Sequence, residues 1–222
     1  MMDITEEHNC VTNIPTVILA GGRGTRLGVA DKCLATVGNT TILQHQINTL
    51  KPQASALFLN VNGDVSRFSR YELPTICDAM FEDAGPLAGI ASTLLELQAL
   101  EVKQMNAGFK PWLITVPSDC PFLPADLVMQ LVNAINTTPT DIAYCKSGDR
   151  DHFVCGIWSA DILPPLLAYL SQGKRSVGEF IFAHDYQVVE FQLSSTGFDP
   201  FFNINTPEQL AAAQTYFNDH DQ

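Results

Sequence analysis

Apolar positions along the chain follow two rhythms. Short runs rich in β-branched and aromatic residues read as strands, the first two of them buried. They are Thr16 to Ala20, Ala56 to Asn62, Leu73 to Asp78, Trp112 to Val116, Ile142 to Cys145, Phe153 to Trp158 and Tyr186 to Phe191. Between them the spacing turns helical. Leu43, Ile47 and Leu50 follow Thr41, which pairs with Gln44 as a capping box, and Pro52 ends the helix. Gly85-Pro86 opens a long helix carrying Ile90, Leu94, Leu97 and Leu100. Residues 124–136 and Pro165 to Leu170 are predicted helical, Ser176 with Glu179 is a second capping box, and Thr206-Pro207-Glu208-Gln209 starts a last helix reaching Phe217.

Strands alternate with helices through the first two thirds, which predicts a mostly parallel sheet covered on both faces. Ligands in such sheets bind at the carboxyl ends of the strands. The strands at Ile142 and Phe153 are separated only by a polar turn, Lys146 to Asp151, so that pair is expected to be antiparallel. Without repeats or linkers the chain reads as one domain over about residues 15–218, with residues 1–14 a loose extension.

The first strand runs straight into Gly21-Gly22-Arg23-Gly24-Thr25-Arg26-Leu27-Gly28. Glycines let backbone N–H groups turn toward an anion. Arg23, Arg26 and Lys32 place three of the chain's 12 basic residues in one short stretch. The spacing is neither the Walker pattern nor the dinucleotide fingerprint, since Val29 follows Gly28 and Leu27 occupies the third glycine position. It reads as a phosphate-binding loop of another kind.

Composition narrows the ligand. The 222 residues carry a net charge of -12, which excludes a general nucleic-acid binder but leaves room for a small anion held by locally concentrated cations. The six cysteines show no C-x-x-C spacing and read as buried, reduced thiols of a cytoplasmic protein. The start of the chain carries Asp3, Glu6 and Glu7 rather than a secretory pattern, and no apolar run reaches the ~18 residues of a membrane span.

Several polar residues follow strand ends and can line one crevice. Asp119, between Pro117 and Pro121, is placed to hold Mg²⁺ beside phosphates. Lys32 is placed to neutralise phosphate charge, with Arg26 beside it among the catalytic candidates. Asp31 either orients Lys32, contacts a ligand or is a surface carboxylate. Asp78 reads as a partner for a ribose or base edge or as a turn residue, and Asn60 as a base-edge contact or a turn cap. Asn203-Ile204-Asn205 puts two asparagines on one side of an extended segment. Arg150, Asp151 and His152, with Lys174 and Arg175, are either a second anion site or solvated loop charges.

These motifs in order resemble the nucleotidyltransferases that activate a phosphorylated metabolite with a nucleoside triphosphate, and among them the molybdenum cofactor guanylyltransferase family. The likeness rests on Leu19 to Gly28, Asp31-Lys32, Gly85 to Gly89, Pro117 to Pro121, Gly148 to His152 and Asn203 to Glu208, and spans about residues 16–217. It implies a Rossmann-like three-layer α/β sandwich, its mostly parallel sheet interrupted by one antiparallel strand. It implies transfer of GMP from GTP to molybdopterin carrying molybdenum, with Mg²⁺ as cofactor and pyrophosphate released. It also implies a monomer working with molybdopterin-handling proteins and target molybdoenzymes or their chaperones. Carried over by position, Leu19, Ala20, Gly21 and Gly22 contact GTP, Lys32, Asn60, Asp78 and Asp119 bind it, and Asp119 holds the metal. Arg150, His152, Asn203 and Asn205 match the part facing the pterin. The alternatives are a related enzyme such as molybdenum cofactor cytidylyltransferase, or a non-catalytic GTP or cofactor carrier. Two positions depart from the family pattern: Phe153 follows His152 where proline is frequent, and Cys33 follows Lys32 where glycine is frequent.

Overall fold

The computed structural model describes residues 14–21, 31–78, 85–104 and 112–220. In chain order these form β1 (Thr16–Leu19), β2 (Thr36–Val37), β3 (Thr40–Thr41), α1 (Ile42–Leu50), β4 (Leu57–Val61), β5 (Thr75–Cys77), α2 (Pro86–Gln104), β6 (Trp112–Pro117), α3 (Leu127–Thr137), β7 (Ile142–Ser147), β8 (Arg150–Ser159), α4 (Leu163–Ser171), α5 (Val177–Ile181), β9 (Tyr186–Phe191) and α6 (Pro207–His220). The loop from Gly22 to Ala30, including Arg23 and Arg26, lies outside the described residues, as do residues 1–13.

Seven strands make one sheet in the order β5-β4-β1-β6-β8-β7-β9. β8 alone runs antiparallel to its neighbours β6 and β7; the other pairings, β5-β4, β4-β1, β1-β6 and β7-β9, are parallel. The sheet is therefore mostly parallel, with one reversed strand. The chain leaves β1 for β4 and β5 on one side and returns to β6 on the other. That reversal opens a crevice beyond the carboxyl ends of β1 and β6.

The central strands are buried on both faces, which explains their continuous apolar runs, whereas the edge strand β9 alternates exposed and buried residues. Along β1, Ile18 faces a core shared with Leu43 and Ile47 of α1 and Leu127 and Leu131 of α3. Val17 and Leu19 face the opposite core, with Ile90 and Leu94 of α2, Leu166 of α4 and Phe180 of α5. A smaller cluster joins Val37, Ile42, Ile204 and Ala213, so α6 closes over the β2-β3 hairpin. Gly38 turns that hairpin at φ 63°, and any Cβ there would overlap the ring of Phe217 on α6. No described helix is long and apolar enough to cross a membrane.

The capping signals differ in outcome. Thr41 accepts from Gln44 N at 3.2 Å, but the Gln44 side chain donates to Asn48, so only half the box forms. At α6 both halves form: Thr206 accepts from Gln209 N, and Gln209 Oε1 accepts from the N–H groups of Asn205 and Thr206. The polar turn expected over Lys146 to Asp151 shrinks to Gly148-Asp149, because β7 and β8 extend through the flanking charges. The stretch Val65–Tyr71, left unassigned by periodicity, is a 3-10 helix capped by Asp64.

Candidate active site

A cleft of about 710 Å³ opens at the carboxyl ends of the parallel strands. That is within the size range of small-ligand sites, roughly 300–1,000 Å³. One half is built by Leu19 and Gly21 after β1, Asn60 and Asn62 at β4, Asp78 after β5, and Gly85-Pro86 at the start of α2. The other half is built by the beginning of β8, by Ser176 to Gly178, and by Asn203. Lys32 and the turn Pro117 to Cys120 stand between the halves.

A continuous chain of polar contacts crosses this middle. Arg150 Nη2 donates to Asn203 Oδ1 at 2.7 Å, and Asn203 Nδ2 donates to Asp119 Oδ1 at 2.9 Å. The other Asp119 oxygen lies 3.6 Å from Lys32 Nζ, which in turn donates to Asn205 Oδ1. Asparagine alternation explains the arrangement. Ile204 is fully buried in the α6 core, so its neighbours point the opposite way, and Ile204 N donates to Asp119 O at 2.9 Å. The capped start of α6 then holds Asn205 in place. Asn205 lies behind Lys32, outside the residues lining the cleft.

The Asp119 turn is clamped from below by a residue the sequence reading missed. Gln46, on the buried face of α1, donates through Nε2 to Pro117 O at 2.7 Å and Cys120 O at 3.0 Å. Its signal was a glutamine among Ile42, Leu43, Ile47 and Leu50, a polar residue on an apolar stripe. Arg67 was missed as well. It donates to both oxygens of Asp31 at 2.6 Å and to Asn62 O at 2.9 Å. Asp31 is 6% exposed. The surface reading of Asp31 is therefore corrected: both its oxygens accept from Arg67 Nη1, an ion pair that anchors the backbone just before Lys32.

On the half built by β1, β4 and β5, Asn60 Nδ2 donates to Asp78 Oδ1 at 2.7 Å and to Ile76 O at 3.3 Å. Burial raises the Asp78 carboxyl above its ordinary value, against hydrogen bonds from Asn60, Asn62 and Ser92. The Ala20 N–H is used by the ladder, donating to Asn60 O at 2.8 Å, whereas Leu19 and Gly21 line the cleft. Gly22 and Arg26 lie outside the described residues.

On the other half, His152 Nε2 and Ser147 Oγ are 2.7 Å apart. Ser147 donates to Asp199 Oδ1 at 2.7 Å, and the second Asp199 oxygen is 3.5 Å from the imidazole. Burial lowers the His152 pKa, with Asp199 pulling the other way and the nearby Arg150 charge adding to the lowering. Arg175 and Lys174 face elsewhere: Arg175 donates to Leu170 O, and Lys174 lies over the Tyr169 ring. Of the cysteines, Cys33, Cys120, Cys145 and Cys155 are buried and Cys77 is exposed, which corrects the expectation of uniform burial. Burial pushes the Cys33 thiol up to about 12 and raises Cys145 and Cys155, while Cys120 is raised first by its hydrogen bond with Cys155 and then by burial, so all four stay protonated at neutral pH.

Residues 16–187 match the family described as MobA-like NTP transferase domain. A molybdenum cofactor guanylyltransferase from Rhodopseudomonas palustris (strain BisB5) is 38% identical over 201 residues, covering 90% of this chain and 92% of that protein. One from Mesorhizobium japonicum is 38% identical over 203 residues, covering 90% and 94%. Among solved structures, molybdopterin-guanine dinucleotide biosynthesis protein A from Archaeoglobus fulgidus superposes with a TM-score of 0.73 at 20% identity, covering 93% of this chain and 100% of that one. 4-Diphosphocytidyl-2C-methyl-D-erythritol synthase from Anaerococcus prevotii superposes at 0.63 and 15% identity, covering 93% and 98%. At those identities the structural likeness concerns the fold. With the cleft at the sheet's reversal point and relatives matched over nearly their whole length, the chain belongs to the molybdenum cofactor guanylyltransferase family, nucleotidyltransferases of the MobA-like class.

Proposed function

We propose that this protein transfers GMP from GTP to the terminal phosphate of molybdopterin carrying molybdenum, forming the guanine dinucleotide and releasing pyrophosphate. The observation that carries the reading is the meeting of Lys32 and Asp119, at 3.6 Å, between the two halves of the cleft. A nucleoside triphosphate in one half and a phosphorylated acceptor in the other would bring their phosphates together at that pair. Relatives named molybdenum cofactor guanylyltransferase support this choice of substrates.

The acceptor phosphate is anionic and already nucleophilic, so no strong general base is required. What the site must do is align two mutually repelling phosphates and shield them. Lys32 supplies a cation at the point of attack, held by Asn205. Arg150, held by Asn203, supplies one on the acceptor side. The bond that forms joins the acceptor phosphate oxygen to the α-phosphorus of GTP, and the bond that breaks releases pyrophosphate.

Mg²⁺ fits this donor set. Among the described residues no three His, Cys, Asp or Glu side chains gather into a metal site, so a divalent cation here must draw most of its ligands from phosphate and water. That is the ordinary state of Mg²⁺, which takes one or two carboxylates beside substrate phosphates. Asp119 would hold it, through the carboxylate that faces Lys32. The ion would supply charge neutralisation on the phosphate oxygens.

The test uses purified protein with α-labelled GTP, Mg²⁺ and molybdenum-loaded molybdopterin. Label should move to the pterin with stoichiometric pyrophosphate release. Lys32→Ala and Asp119→Asn should each lower the rate by about 10²–10³, the size of losing one electrostatic contact to the transition state, while leaving the melting profile cooperative. Preference for CTP over GTP, or nucleotide binding without pyrophosphate release, would replace this reading with a cytidylyl transfer or a carrier.

A further inference from the structure

The acceptor half of the cleft contains an irregularity that the reaction above does not use. β7 and β8 pair regularly from Ile142↔Trp158 to Tyr144↔Gly156, and then the register jumps to Cys145↔His152. Phe153, Val154 and Cys155 therefore have no partners on β7. A bulge of this kind re-aims side chains and is over-represented beside active sites. All three bulged residues line the cleft. The bulge is tied down from behind: Thr115 Oγ1, on β6, donates to Val154 O at 2.6 Å and accepts from Trp158 Nε1 at 2.8 Å. Thr115 and Trp158 are fully buried.

The bulge delivers Phe153 as a braced ring at the cleft wall. Tyr144 packs against it at 5.0 Å between centroids and Phe182 meets it edge-on at 5.5 Å. Gly178 of α5 lies close under the ring, where an added Cβ would come within 3.0 Å of it. A side chain at 178 would push the ring, so glycine there keeps this wall of the cleft in place. Arg150 and His152 precede Phe153 on the same strand and line the same cleft, supplying a cation and an imidazole on the acceptor side.

We infer that Phe153 is the stacking platform for the planar pyrimidinone ring of the acceptor's pterin. The inference rests on the proposed transfer to a pterin. A planar ring system offers a π-face to an aromatic side chain. The neighbouring Arg150 then lies where an anionic phosphate attached to that heterocycle would lead toward Lys32 and Asp119. In this chain the heterocycle is thus held by a ring at a position where the family pattern often has proline.

The experiment measures molybdopterin and GTP binding separately by calorimetry, and steady-state transfer, for wild type, Phe153→Ala, Phe153→Leu and Phe153→Trp. Alanine and leucine should each weaken molybdopterin binding, and raise its KM, by about 10- to 100-fold. Leucine fills space without a π-face, so its loss separates stacking from packing. Tryptophan should restore affinity. GTP affinity should not change in any variant. Thr115→Val, which frees the Val154 carbonyl from its anchor, should raise the acceptor KM without touching GTP affinity. Unchanged molybdopterin affinity in the alanine and leucine variants overturns the stacking role while wild-type GMP transfer still stands. Equal loss of GTP and pterin affinity also overturns it. A wild type that binds molybdopterin but transfers CMP overturns the guanylyl reading alone, and one that binds no molybdopterin overturns both.

Discussion

Asp78 shows how a single residue can serve the site at the expense of the fold. It sits after β5, half-buried, and burial raises its carboxyl above the ordinary value although three side chains donate to it. A raised acid holds its proton more tightly in the folded state, so the stabilising form is the neutral one, favoured at low pH and lost as pH rises through the folded value. At neutral pH the ionised carboxylate is a cost. Strained or buried charges retained in a cleft are common where ligands bind. Asp78→Asn keeps the shape and keeps an acceptor for Asn60 Nδ2. It should raise the melting temperature at pH 7. The gain should shrink as pH falls toward 3.8, the ordinary carboxyl value. GTP affinity should fall in the same variant. Calorimetric melts across pH together with a GTP titration check both halves. A variant no more stable than wild type at pH 7 would remove the account of Asp78 as a destabilised group.

At the scale of elements, α1 is a packing helix that also shapes the chemistry. Its apolar face buries Ile42, Leu43, Ile47 and Leu50, and the same face presents Gln46 to the carbonyls on either side of Asp119. Gln46→Leu retains the volume but leaves two carbonyls without this donor. It should destabilise by about 1–3 kcal/mol, the cost of unsatisfied buried polar groups, and lower kcat more than it raises the KM for GTP, since the Asp119 carboxylate is misplaced rather than removed. Denaturant melts and steady-state kinetics separate the two effects; Gln46→Glu, which keeps the size but not the donor, should behave like leucine. Such contacts mark the limit of what the sequence disclosed. The strand runs, the reversed strand, the α6 cap and the alternation of Asn203 and Asn205 were legible because each is written in local spacing. Gln46, Arg67 with Asp31, and Ser147 with Asp199 join residues distant in sequence, and side-chain spacing carries no trace of such pairings. The bulge at Phe153 to Cys155 was hidden for another reason. Its residues are as apolar and β-prone as those of a regular strand, and only the register against β7 betrays them.

For the molecule as a whole the net charge is -12, and the cleft sets Lys32 and Arg150 among the carboxylates of Asp78, Asp119 and Asp151. The half of the cleft built by β8 holds a histidine whose pKa its surroundings shift. His152 packs against Phe201 at 4.7 Å between centroids, beside Ser147 and Asp199, with Arg150 and Asp151 preceding it. Burial is the largest influence and lowers its pKa, so the folded protein resists protonation that the unfolded chain accepts near 6.5. In the window below 6.5 the unfolded state binds more protons, and stability rises with pH there. The contribution is complete above 6.5 and is lost as pH falls through the folded pKa. One proton sets an upper slope of about 1.4 kcal/mol per pH unit. His152→Gln keeps a polar group near Ser147 and removes the titration. The difference in unfolding free energy between wild type and this variant should be flat above pH 7 and should shift steadily against wild type on acidification below 6.5. Acidic surface groups shared by both proteins cancel in that difference. A difference that stays flat down to pH 5 would mean that the charged imidazole is accommodated, with Asp199 compensating fully for burial. A difference that shifts in favour of wild type on acidification would mean that the pair with Asp199 outweighs burial and raises the pKa instead.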